Sequence, residues 1–342
     1  MTHSASLSPF PLQARQVRRL LIGTLGSVAT LGWVLRGVDL SDLSRALLTL
    51  SPGWFVASLG CALVGALTKT ARWRTLYGSA ALRTTFGELF STLMLSQAAN
   101  VFIPIRLGEL IRIGLMRKAG QASATTLSTI LIEKALDLMA AGLVALSLFA
   151  FSTAPAWAQE PAVGIALVGL MITLGIPLLW LGRSWLEKAI AGLGRVFPAA
   201  WHQRFQQALH QMVTAFSNLT GWRVLIEILF WTLIIWIFSI LSIISLFFAF
   251  SLPLRLEAVI IMTLAANFSN IAPSPGLVGV VPVVAVIILD YFAVSQSVAL
   301  GYGLALNLVM VGPLLILGGW SLWYRATSLM ELLIFQKQLD KS

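Results

Sequence analysis

Charge is scarce in this sequence. Only 11% of its 342 residues are Asp, Glu, Lys or Arg, against about 25% in ordinary soluble domains. A water-soluble fold of this length could bury a large core, yet it would still need a charged surface. The chain lacks the residues to make one, and its 58% hydrophobic content predicts an integral membrane protein. Cysteine is scarcer still. The single Cys61 excludes an internal disulfide framework and a multi-cysteine zinc site, and within its apolar run it reads as a small packing residue. The three histidines, His3, His202 and His210, fall in a tail and in a surface segment, and none completes a His-Glu-x-x-His site or a triad. No glycine-rich loop ends in Gly-Lys-Ser/Thr, so the chain does not drive itself with ATP. These absences argue against an enzyme and against a resident cofactor or metal.

What is present is apolar length, with basic residues placed at its ends. The net charge of +10 could point to nucleic acid, but the Lys and Arg residues cluster where apolar runs stop, as membrane anchoring requires. Nucleic acid is therefore not an expected partner. A bilayer crossing needs about 20 apolar residues, with about 17–25 tolerated. Six runs qualify: 19–36, 52–69, 126–150, 162–181, 224–250 and 297–323. The first follows Arg15, Arg18 and Arg19 and ends at Arg36 without a small-x-small cleavage site, so it reads as an uncleaved span rather than a signal peptide.

Two further runs are interrupted. Run 86–118 breaks at Asn100–Gly108 ("NVFIPIRLG"), and run 257–291 breaks at Asn270–Gly279 ("NIAPSPGLVG"). Pro104 and Gly108 in the first, and Pro273, Pro275, Gly276 and Gly279 in the second, supply the helix-breaking geometry. Lys and Arg concentrate on the cytoplasmic side of membrane proteins. With a cytoplasmic amino terminus and both broken runs re-entering without crossing, 19 basic residues fall inside and 3 outside, with Lys134 within a span. If 86–105 crossed fully, the balance would reverse to 8 inside and 14 outside. Re-entry is therefore favoured.

Each half then reads span, span, hairpin, span, and three spans per half give the halves opposite orientation. The expected fold is an all-α polytopic membrane protein with six full spans and two re-entrant helical hairpins in an inverted repeat, an arrangement typical of transporters. The organisation is a cytoplasmic tail (1–18), a first membrane half (19–150) with hairpin 86–118, a second half (151–325) with hairpin 257–291, and a cytoplasmic tail (326–342). Within the second half, Phe205, Leu209, Met212, Val213 and Phe216 fall on one helical face, which suggests amphipathic surface helices over 184–220. A long packed linker fits the same periodicity. Residues 38–51 suggest a smaller amphipathic helix on the outer side.

Charges inside the apolar zone are the informative ones, since each costs about 2.5–3.5 kcal/mol or more at a helix centre unless paired or wet. Arg106, Glu109 and Arg112 are spaced three apart and share a helical face, and Glu133 and Asp137, four apart, share another. Arg106 and Arg112 could hold an anionic head group. They could equally form salt bridges that stabilise the broken hairpin, with Glu133 or Asp137 as partners, or snorkel to the interface. Lys134 lies off the Glu133/Asp137 face and is expected to snorkel. Asn100, Asn267 and Asn270 place amides at the breaks, where they could build a half-site or simply serve the break. Glu88, Glu227 and Asp290, near span ends, read as interfacial.

Three motifs carry a resemblance to a known family. "PIRLGELIR" (Pro104–Arg112) resembles Pro-x-x-x-Gly-Glu-x-x-Arg, "EKALD" (Glu133–Asp137) resembles Glu-Arg-x-x-Asp, and "PSPGLVGVV" (Pro273–Val281) resembles a late Pro-Gly-Gly-x-Gly signature. Together, over roughly 15–325, the chain resembles the flippase-like membrane domain found in the transmembrane region of lysylphosphatidylglycerol synthases and in stand-alone bacterial and archaeal proteins. It departs at Lys134 (usually Arg), Leu277 (usually Gly) and Pro282 (often Glu). The resemblance implies lipid translocation between leaflets of a bacterial or archaeal cytoplasmic membrane. Lipid aminoacylation is not carried over, since no aminoacyl-transfer domain is expected in the 19 residues after the last span.

The expected function is a flippase for an anionic lipid, a phospholipid or a polyprenyl phosphate, working by alternating access. Arg106, Glu109, Arg112, Glu133, Asp137, Asn100 and Asn270 are its substrate-binding candidates. The alternative is a non-transporting lipid-binding subunit that serves a separate lipid- or glycan-modifying enzyme. An intramembrane transferase is least favoured, because Asp39 and Asp42, its only external acidic pair, are explained by a solvated loop. Membrane lipids are the expected partners, and a homo-oligomer or a membrane enzyme is possible beside them.

Overall fold

The structure, a computed structural model, describes residue 32 and residues 39–78, 84–102, 108–151, 154–181, 222–269 and 280–324. Ten α-helices run through these residues, and no strand occurs among them. They are α1 (Leu40–Leu48), α2 (Pro52–Tyr77), α3 (Phe86–Phe102), α4 (Gly108–Lys118), α5 (Ser123–Ser147), α6 (Ala156–Leu181), α7 (Trp222–Ala249), α8 (Leu256–Ser269), α9 (Val280–Tyr291) and α10 (Gln296–Tyr324). Four stretches are long and apolar enough to cross a membrane: Pro52–Tyr77, Ala156–Leu174, Trp222–Ala249 and Gln296–Tyr324. Helix α5, at 25 residues, has the length as well but carries Glu133, Lys134 and Asp137. Large apolar side chains such as Met171, Leu174, Leu233 and Ile316 point outward, which suits a lipid environment and no aqueous one.

Local chemistry sets the helix ends. Pro52 opens α2 at a position where its missing N–H costs nothing, and Gly78, at φ +55°, closes it. Thr85 and Glu88 form a capping box at the start of α3: the Thr85 N–H donates to Glu88 Oε2 at 2.7 Å, and the Glu88 N–H donates to Thr85 Oγ1 at 3.2 Å. Asp39 caps α1 by accepting from the Ser41 N–H at 2.7 Å.

Five of the six expected spans coincide with helices, with shifted ends. The run read as 52–69 continues to Tyr77, because Thr68, Thr70, Arg72 and Trp73 are buried against other helices and do not face head groups. The first broken run emerges as α3 and α4. Helix α3 reaches Phe102, so Asn100 lies within it and the interruption starts later than the sequence suggested. The second emerges as α8 and α9, on either side of 270–279. Most of span 19–36, the 184–220 segment, both tails, and Pro104, Arg106, Asn270, Pro273, Pro275, Gly276 and Gly279 lie outside the described residues. The amphipathic helix expected over 38–51 is α1, which sets Leu43 and Leu47 against Gly301 of α10.

Helices in a lipid environment associate through small residues and buried hydrogen bonds. Helices α2 and α7 are joined by Ser58 and Ser242, each hydroxyl donating to the other residue's carbonyl at 2.9 and 3.2 Å. Helices α5 and α6 meet backbone to backbone, and a Cβ added at Gly142 would lie 2.7 Å from the Gly169 Cα. Gly303 of α10 faces the Pro282 Cα of α9, so both broken segments pack on α10: α9 here, and α3 where Gly318 meets Ala98.

Candidate functional site

Helices α2, α3, α4, α5, α7, α8 and α10 surround a cavity of about 760 Å³. Its polar lining comes from α2 (Lys69), α3 (Ser96, Gln97, Asn100), α4 (Glu109, Arg112), α5 (Glu133, Lys134, Asp137), α7 (Ser239, Ser242) and α8 (Asn267). Pro313 of α10 also lines it. Proline has no N–H to give the carbonyl four residues back, so the Val309 carbonyl loses its usual helical donor beside the cavity.

The charges are arranged in pairs. Arg112, 4% exposed, donates through Nη2 to Glu133 Oε2 at 2.7 Å. Its guanidinium carbon lies 3.7 Å from the centroid of the Trp73 ring. Trp73 is fixed in turn by its Nε1–H, which donates to Thr129 Oγ1 at 3.0 Å. Arg72, 1% exposed, donates through Nη1 to Asp137 Oδ1 at 2.8 Å and to Thr232 Oγ1 at 3.3 Å. Its Nε and Nη2, and the Arg112 Nε, have no hydrogen-bond partner among the described residues. Lys134 Nζ stands 3.9 Å from Glu109 Oε1. Lys69 lines the cavity without a hydrogen bond or ion pair among the described residues.

The first broken segment is held by Asn100. Its Oδ1 accepts from the Gly108 N–H at 2.8 Å, and its Nδ2 donates to Glu109 Oε2 at 3.4 Å. Gly108 is pressed against the Ser96 carbonyl, where a Cβ would collide with backbone. Asn100 and Gly108 therefore fix where α4 starts against α3, and this start directs Glu109 and Arg112 into the cavity. On the other broken segment, Asn267 donates to the Thr263 carbonyl at 2.8 Å and to Ser239 Oγ at 3.2 Å.

Of the residues singled out in the sequence, Asn100, Glu109, Arg112, Glu133 and Asp137 converge on this cavity; Arg106 and Asn270 are not described. One expectation changes. Lys134, read from the sequence as lying off the Glu133/Asp137 face, lines the cavity beside Glu109, its side chain 52% exposed. Glu88 and Glu227, near the starts of α3 and α7, also hold protein groups: Glu88 caps α3, and Glu227 accepts from Thr75 Oγ1 at 2.8 Å. Lys69, Arg72 and Trp73 were not singled out. Their signal was spacing, since positions 69, 72 and 73 fall on one helical face. No group of three or more His, Cys, Asp or Glu suited to a metal occurs among the described residues.

Long apolar helices, two of the apolar segments interrupted, and a charged cavity between them define a polytopic helical membrane protein. The chain belongs to the family of the lysylphosphatidylglycerol synthase transmembrane region, whose family model matches residues 20–318. This agrees with the resemblance carried by the three motifs. Neither a curated protein nor a solved structure matches the chain significantly.

Proposed function

We propose that the chain is a lipid transporter of the cytoplasmic membrane that moves an anionic lipid between leaflets, and that it is not an enzyme. The observation that carries this reading is the cavity itself, lined by residues from both broken segments and holding ionisable groups among apolar helices. Ionisable residues inside a membrane mark substrate or ion paths, and interrupted helices around a central site support alternating access. The six-span inverted repeat, with cytoplasmic termini and the 86–118 and 257–291 segments re-entering, is the topology that goes with it. Family membership supports a lipid-related role. A potential of 100 mV, negative inside, is worth about 2.3 kcal/mol per charge, so it favours outward movement of an anionic head group.

Arg112, Glu133 and Asp137 set the charge of the site, and Asn100 and Glu109 shape its wall. Arg106 and Asn270 belong to the same proposal as flanking groups. The test is leaflet exchange in sealed proteoliposomes with labelled anionic and neutral lipids, comparing wild type with Arg112→Gln. Selective exchange by wild type and its loss in a variant that still runs as a monodisperse species support transport. Absence of exchange by folded wild type, with and without a pH gradient or potential, sinks it and leaves a lipid-binding subunit that serves a separate enzyme.

A further inference from the structure

One helix joins the two broken segments. Among the described residues, neither α3 nor α4 packs extensively on α8 or α9, whereas α10 packs along both α3 and α9. These two contacts lie on opposite sides of Pro313. Before it, a Cβ added at Gly303 would lie 2.6 Å from the Pro282 Cα of α9, and the Tyr302 ring stands edge-on to Phe247 of α7 with centroids 5.3 Å apart. Beyond it, Gly318 meets Ala98 of α3 just as closely, and Leu314 and Leu317 pack against a buried cluster that holds Leu93 and Met94 of α3 and Trp73 of α2. Each arm of α10 is thus seated on a different broken segment, by a contact too close to leave play.

Between the two seats the helix is weak. Proline withholds an N–H from the Val309 carbonyl and its ring crowds that turn, which is where α-helices kink. Nothing among the described residues braces the outer side: a Cβ added at Gly312 would touch only Leu308 of the same helix, and Leu308 and Ile316 are 56% and 74% exposed. The inner side is the cavity, lined by Leu306, Val309 and Met310 of the first arm and by Pro313, Leu314 and Leu317 at and beyond the weak point.

We propose that Gly312–Pro313 is a joint, at which the two arms of α10 turn as separate levers, one carrying α9 and the other α3, and so reshape the cavity between them. A turn of about 20°, the scale of a proline kink, moves the far end of an arm of about 11 residues by about 5–6 Å at about 1.5 Å rise per residue. The inference concerns the wall of the cavity and not its occupant, so it goes beyond the transport reading and is tested without any substrate.

The experiment is a set of electron paramagnetic resonance distance measurements between nitroxide labels on the full chain in nanodiscs, in a Cys61→Ser background. Ile287→Cys on α9 paired with Trp323→Cys on the second arm spans the joint, and Ile287→Cys paired with Leu308→Cys stays on one side of it; all three positions are exposed. With Pro313 in place, the spanning pair is expected to give a distance distribution broader than the control pair by about 5 Å, the displacement of a bending arm. Pro313→Ala, which returns the N–H to the helix, is expected to narrow it to the control width. A spanning pair as narrow as the control with Pro313 in place overturns the proposal, whether or not the alanine variant folds. Breadth that survives Pro313→Ala overturns it as well, since the motion then arises elsewhere. The native Cys61 thiol, on the cavity wall, reads the cavity itself. Its rate of reaction with a water-soluble maleimide is expected to change about fivefold or more in Pro313→Ala, the scale of one regained hydrogen bond. An unchanged rate sinks the coupling of joint to cavity. Neither readout uses lipid exchange, so failure here leaves the transport reading standing, and absence of exchange leaves the joint standing.

Discussion

The Arg112 guanidinium sits 3.7 Å from the centre of the Trp73 ring while it donates to Glu133 at 2.7 Å. One side chain of α4 thereby ties α2 to α5. Lysine at this position would keep the charge but lose the planar group that stacks and forks. Arg112→Lys is expected to lower stability by about 1–2 kcal/mol, the scale of a desolvated cation–π contact with its hydrogen bond. A melting curve of the purified protein in detergent checks it, and an unchanged midpoint would mean that the stack contributes nothing.

Removing one partner of a buried pair costs more than removing both. Arg72 is buried and held by Asp137. Asp137→Asn should therefore destabilise by about 3 kcal/mol, at the low end of values for broken buried pairs because Asp137 still reaches the cavity. The double variant Arg72→Met with Asp137→Leu should recover most of that loss. Chemical denaturation of the three variants gives the comparison, and a double variant worse than Asp137→Asn would contradict it.

Gly108 leaves no room for a methyl group, because the obstacle is the Ser96 carbonyl and not a movable side chain. Gly108→Ala should shift α4 away from α3 and abolish a monodisperse peak in size-exclusion chromatography. Asn100→Ala, which removes the acceptor for the Gly108 N–H and the donor to Glu109 without crowding the backbone, should cost about 1–2 kcal/mol and leave the peak intact.

Helix α6 offers an internal control. A Cβ at Gly169 would lie 2.6 Å from the Gly142 Cα, whereas one at Gly164 would meet nothing within 4 Å. Gly164→Ala should be neutral or stabilise by about 0.5–1 kcal/mol, because alanine is the better helix former. Gly169→Ala should destabilise, since two backbones must separate. Equal melting points for the two variants would show that α5 and α6 do not touch there.

How much of this could be read from the residues varied with the kind of signal. Long apolar runs mark α2, α6, α7 and α10 because few charges interrupt them, and the two broken runs appear as helix pairs. Glu133 and Asp137 share a face by spacing alone, and Arg112 pairs with one of them. The site's other half was hidden in "TKTARWR". A basic cluster at the end of an apolar run looks like an interfacial anchor whether it meets head groups or another helix. Only packing against α5 and α7 decides that Arg72 and Trp73 turn inward. Gly142 and Gly169 likewise carry no mark of their pairing, which depends on how two spans lie side by side.

Within five residues of α5, Glu133, Lys134 and Asp137 reach Arg112 and Glu109 of α4 and Arg72 of α2. The fastening of three helices is thus gathered into little more than one turn. A conformational change that parts α5 from its neighbours must release these contacts nearly together, so the resistance to opening is local and cooperative rather than spread along the helices. A single occupant able to rearrange charge at that turn could act as the key to the whole clasp.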